Sequence, residues 1–156
     1  MRARLRGFTL IELVVTISII AILAAVALPR YIALQTQART AKMQAIYGGI
    51  RSAAMLAHAQ AIATNTTALP TVSMEGAFIT QVNGYPTADV NGIILALQLN
   101  NINDQVTPSA GGAAAGSTIT IVINGATTPA NCAVSYTSAL ANGSPNIVLP
   151  VAPDCS

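Results

Sequence analysis

Between Phe8 and Leu28 the chain runs for 21 residues with a single charged side chain, Glu12. At helical rise that run is about 31 Å long, the thickness of a bilayer's hydrocarbon core. A carboxylate inside such a run costs roughly 2.5–3.5 kcal/mol at mid-depth and less nearer the interface. Glu12 therefore needs a partner for its charge, or must snorkel to the interface. Arg2, Arg4 and Arg6 stand just before the run. By the positive-inside rule they hold that end in the cytoplasm, so everything after Arg30 is exported.

A plain secretory signal accounts for part of this. It has a basic start, an apolar stretch and Ala25-Val26-Ala27 as a small-x-small cleavage site. Cleavage there would release a soluble exported binding domain beginning at Leu28. Three features count against it. The apolar run contains an acid, it is long enough to span, and Gly7-Phe8-Thr9-Leu10-Ile11-Glu12 forms a specific string ahead of it.

That string, GFTLIELVV, followed by an apolar helix and Pro29, resembles the N-terminus of type IV pilins and of the related pseudopilins of type II secretion. The likeness is strong over residues 1–35 and loose beyond them. It implies a membrane-embedded aspartic peptidase that cuts on the cytoplasmic side between Gly7 and Phe8. The same enzyme would then methylate the new amine of Phe8. Residues 1–7 would be a cleaved leader, and residues 8–29 a retained membrane and filament-core helix. The short leader and N-terminal Phe resemble the type IVa class. The partners implied are this peptidase and methyltransferase, the inner-membrane assembly machinery, the membrane before assembly, and further copies of the chain in a helical filament. The implied itinerary is inner membrane first, extracellular pilus afterwards, with no cofactor.

The charge changes with the cut. Removing Arg2, Arg4 and Arg6 takes the side-chain charge from +2 to −1, because four basic and five acidic residues remain in 8–156. The basic character belongs to the precursor, and no nucleic-acid binding follows from it. The freed Phe8 amine is a natural counter-charge for Glu12, since a paired acid and amine are cheaper to bury than either alone. By the resemblance, Glu12 pairs with the amine of a neighbouring subunit and sets the assembly register.

Pro29 lacks a backbone donor, which predicts a kink or local melting there. Residues 30–63 continue as an amphipathic helix: Met43, Ile46, Tyr47, Ile50, Ala54 and Ala57 recur at three- and four-residue spacing. Gly48-Gly49 marks either close packing or simple tolerance. Asn65-Thr66-Thr67 and Pro70 end the helix and open a globular head over residues 64–156. Within it, Val72–Asn83 reads as a strand and Asn83-Gly84-Tyr85-Pro86 as a turn. Residues 87–99 read as a short helix capped by Thr87 or Asp89, with a strand as the alternative. SAGGAAAGS at 109–117 is a loop. Strands are expected at 118–124, 132–138 and 146–151. The fold class is therefore α+β, a long N-terminal helix packed on a small antiparallel sheet.

Cys132 and Cys155 are the only two cysteines, and an even pair in an exported domain reads as a disulfide. By the resemblance, residues 132–155 are the disulfide-bounded C-terminal region of a pilin, which pseudopilins typically lack. Asn83–Pro86 together with Cys132–Thr137 is similar to pilins of the mannose-sensitive haemagglutinin type. No catalytic constellation or metal site is expected. His58 is the only histidine, and Glu75, Asp89, Asp104 and Asp154 are scattered. GGAAAG lacks the lysine and hydroxyl residue of a phosphate loop. The reading is a non-enzymatic structural subunit, a major pilin supporting adhesion or twitching. Its alternatives are a type II secretion pseudopilin and the soluble exported domain.

Overall fold

The computed structural model describes residues 7–151 and 153–156. Arg2, Arg4 and Arg6 lie outside the described residues. The chain divides into two compact units, one ending at Gln35 and one beginning at Thr36. The division falls inside the helix, so its amphipathic half belongs with the head.

Helix α1 runs from Leu10 to Ala63. It is continuous through Pro29. Its last turn closes on Asn65, which takes a left-handed conformation (φ 54°). The Asn65 N–H bonds the Ile62 carbonyl at 3.1 Å and the Thr66 N–H the Ala61 carbonyl at 2.8 Å. This is the paired bond pattern that terminates a helix on a left-handed residue.

In the first unit, every leucine, isoleucine and valine from Leu10 to Leu34 is exposed. The segment is long and apolar enough to cross a membrane. Its hydroxyls bond to its own backbone: Thr16 Oγ1 donates to the Glu12 carbonyl at 2.5 Å and Ser18 Oγ to the Val14 carbonyl at 2.8 Å. A helix that satisfies its polar groups internally meets the requirement lipid imposes.

The second unit holds two antiparallel sheets rather than the single sheet expected. Strands β1 (Thr71–Met74), β2 (Ala77–Val82) and β3 (Tyr85–Pro86) form one, in chain order. Strands β4 (Val106–Pro108), β5 (Thr118–Ile123), β6 (Ala133–Thr137) and β7 (Asn146–Val148) form the other, also in chain order. The stretch 72–83, expected as one strand, is a hairpin. Glu75 and Gly76 both have positive φ (49° and 84°), and Asn83 and Gly84 repeat the geometry at the next turn (52° and 76°). Two-residue turns of this hand match the twist of the strands they join. Strand β4 went unpredicted because three residues ending in proline carry too little alternation.

The short helix expected at 87–99 is a single π-helical turn over Val90–Ile94. Asp89 caps it, its carboxylate accepting from the N–H groups of Asn91 and Gly92 at 3.1 and 2.7 Å. Gly92 is required there, since a Cβ would stand 2.2 Å from the Thr87 carbonyl oxygen.

The buried stripe of α1 is Met43, Ile46, Ile50, Ala53, Ala54, Ala57 and Ala61. Its first five residues share a core with Ile119, Ile121 and Ile123 of β5, Val134 and Tyr136 of β6, and the two cysteines. Ala57 and Ala61 share a smaller one with Val72 and Ile79 of the first sheet. One helix face thus seals both sheets. Gly49 lets Leu97 approach, as a Cβ there would come within 2.8 Å of Leu97 Cδ1, whereas Gly48 faces open space. The glycine pair divides between close packing and tolerance.

Candidate functional site

The residues singled out at the N-terminus lie at the helix start. Gly7 and Phe8 precede α1 and are exposed. Thr9 and Glu12 cap the helix reciprocally. Glu12 Oε2 accepts from the Thr9 N–H at 2.9 Å and from Thr9 Oγ1 at 2.8 Å, and Thr9 Oγ1 accepts from the Glu12 N–H at 3.2 Å. This is the Thr-x-x-Glu capping box, an arrangement typical of helix starts. Glu12 consequently has a partner in its own chain that the sequence analysis overlooked, although the Thr9–Glu12 spacing signals it. The donors are neutral, so they satisfy lone pairs without cancelling the charge. The Glu12 side chain is exposed within the chain.

At the other end, Cys132 and Cys155 form a disulfide with Cα atoms 4.9 Å apart, and both are fully buried. The tail it anchors is held at its last three residues. The Asp154 N–H bonds the Asn131 carbonyl at 3.1 Å, and the Thr127 N–H bonds the Ser156 carbonyl at 2.5 Å. Arg39 Nη1 of α1 donates to the Cys155 carbonyl at 3.1 Å. Lys42 Nζ on the same helix face donates to the Asp104 carbonyl. Two of the head's few cations are thus committed to backbone oxygens.

His58, three acids and Tyr136 also have local tasks. His58 stacks on Tyr85 with ring centroids 4.0 Å apart, and its Nδ1 lies 2.8 Å from the Gly84 carbonyl oxygen. Asp104 accepts from the Asn100 N–H, Asp154 from the Ser156 N–H, and Glu75 from the Gln98 side-chain amide. Among the described residues no group of three or more His, Cys, Asp or Glu could hold a metal ion. Tyr136, buried in β6, donates its hydroxyl to the Pro86 carbonyl at 2.7 Å and so links the two sheets. Burial, and to a lesser extent the nearby Tyr85, pushes its phenol well above the ordinary range.

Residues 2–28 match the family model described as the prokaryotic N-terminal methylation motif. A curated relative agrees: the type IV narrow pilus major component PilA5 of Thermus thermophilus is 48% identical over 58 residues. The aligned stretch is 37% of this chain and 50% of that protein, so the chain spans about half the length of the curated relative it matches. No solved structure matches. The motif match thus covers the start of α1, and the chain joins it to an α+β architecture consistent with a pilin fold.

Proposed function

We propose that this chain is a structural subunit of a type IV pilus, processed at Gly7–Phe8 and assembled through its apolar helix. The observation that carries the reading is the exposed helix of residues 10–34 with one anion near its start. Such a surface needs lipid before assembly and neighbouring helices after it. Cleavage removes Arg2, Arg4 and Arg6 and leaves the Phe8 amine as the nearest new cation. Pairing Glu12 with that amine on an adjacent copy compensates the charge, and does so at one axial offset only. Pro29 supplies the point at which the helix can bend or loosen when packed among copies. The precursor would sit in the inner membrane with residues after Arg30 outside, and the product would be a surface filament. The disulfide-bounded tail supports a pilus subunit over a secretion pseudopilin.

The test is Glu12→Ala in cells that assemble the filament. The variant keeps its Gly7–Phe8 junction, so it should be cut to a Phe8 start as the parent is. Surface filaments should fall at least tenfold, measured by shearing and immunoblot. Normal filament yield would contradict the pairing, and an uncut precursor would show that Glu12 acts at processing instead.

A further inference from the structure

We infer that the head carries a binding groove for a carboxylate-bearing saccharide, lined by Tyr47, Arg51, Tyr85, Ser144 and Asn146. The groove is a cavity of about 350 Å³. Its walls are α1, strand β3 and the turn leading into β7. A second cavity, of about 670 Å³, shares Tyr85 and Ser144 with it and reaches His58 and Asn142. Tyr85, which lines both, stacks on His58 with rings 7° from parallel.

That stack is a fixed platform. The Asn83-Gly84 turn delivers Tyr85 onto the helix, and Gly84 packs so closely that a Cβ would sit 3.2 Å from His58 Nδ1. His58 is also held through the Gly84 carbonyl. A rigid ring needs little ordering on binding. Lining the same cavity as Tyr85 are polar groups with nothing to bind among the described residues. Arg51 is exposed, and among the described residues neither its guanidinium nor the hydroxyls of Tyr47 and Tyr85 have a partner. Arg39 and Lys42, in contrast, are engaged.

This set of groups selects a ligand class. An aromatic face packs against the C–H surface of a sugar ring. Hydroxyl and amide side chains such as Ser144, Asn146 and the tyrosines both donate and accept, as sugar hydroxyls require. A guanidinium matches a carboxylate with two parallel hydrogen bonds. A purely apolar ligand would desolvate Arg51 and Asn146 without replacing their water, and a cationic one would meet Arg51. The volume lies in the range of small-molecule sites, about 300–1,000 Å³.

The experiment is saturation-transfer NMR on the full chain in detergent micelles and on sheared filaments. The probes are glucuronic acid, galacturonic acid and N-acetylneuraminic acid, with glucose as the neutral control. Ring protons of the acidic sugars should receive saturation in both preparations, and glucose should not. Arg51→Gln should weaken acidic-sugar binding about tenfold or more, the loss expected for a charge-assisted hydrogen bond. Tyr85→Phe, which keeps the stack, should weaken it less. An equal response to glucose, or binding undiminished in Arg51→Gln, overturns the proposal. So does binding in micelles that vanishes in filaments, because a neighbouring copy would then occupy the groove.

Discussion

From Leu10 to Leu34 the apolar side chains of α1 touch nothing that hides them, whereas from Met43 to Ala61 the same helix is sealed under two sheets. Both stretches belong to one α-helix. Burial differs because the first is apolar all round, while the second concentrates its apolar residues on one face. A one-sided stripe can be satisfied by a single chain, but an all-round one needs lipid or other helices. Residues 36–156 therefore carry their own stability, and residues 7–35 draw theirs from what surrounds them.

The largest effect expected within the head is loss of the disulfide. Replacing Cys132 and Cys155 together by serine opens a loop of 22 intervening residues. That should cost about 3 kcal/mol in the chain-entropy account. Thermal unfolding of the full chain in detergent, followed by near-ultraviolet dichroism, should show it, while helicity from residues 10–34 persists. Equal melting of both regions would break the comparison.

Tyr136→Phe comes next. It leaves the Pro86 carbonyl without its donor and should cost about 1–3 kcal/mol, read from the same melting curve. The phenol also gives the head a pH limit. Its folded pKa is raised, so below about pH 10 both folded and unfolded states hold the proton and stability is unaffected. Above that, the unfolded chain loses its proton first and is favoured. Head stability should fall as pH rises past the ordinary tyrosine range, and Tyr136→Phe should remove that component of the slope.

The smallest effect separates the two glycines. Gly48→Ala meets nothing within 4 Å and should stabilise the helix by about 0.5–1 kcal/mol. Gly49→Ala must displace Leu97 Cδ1, 2.8 Å from the new Cβ. It should gain less or nothing. Equal gains would show that Gly49 is merely tolerated.

Much of this was legible in residue order because the signals were periodic or chemically singular. The spacing from Met43 to Ala57 gave the buried face, and TITIVI gave β5. The lone acid in the apolar run drew attention to Glu12. What escaped notice was local or tertiary. Thr9 formed its box with Glu12 through a four-residue pattern overshadowed by the larger question of charge. Glu75-Gly76 turned one expected strand into two because a two-residue turn interrupts alternation only briefly. The His58–Tyr85 stack joins residues 27 positions apart, and no spacing rule pairs a helix histidine with a hairpin tyrosine. The committed hydrogen bonds of Arg39 and Lys42, which leave Arg51 open, likewise depend on the folded head.

The central claim is that the apolar helix is kept and becomes the part that other copies cover. Intact mass and N-terminal sequencing of the protein in sheared surface filaments test it most directly. The account predicts one mature species beginning at an N-methylated Phe8. A species beginning at Leu28, or the absence of the chain from filaments, would contradict it.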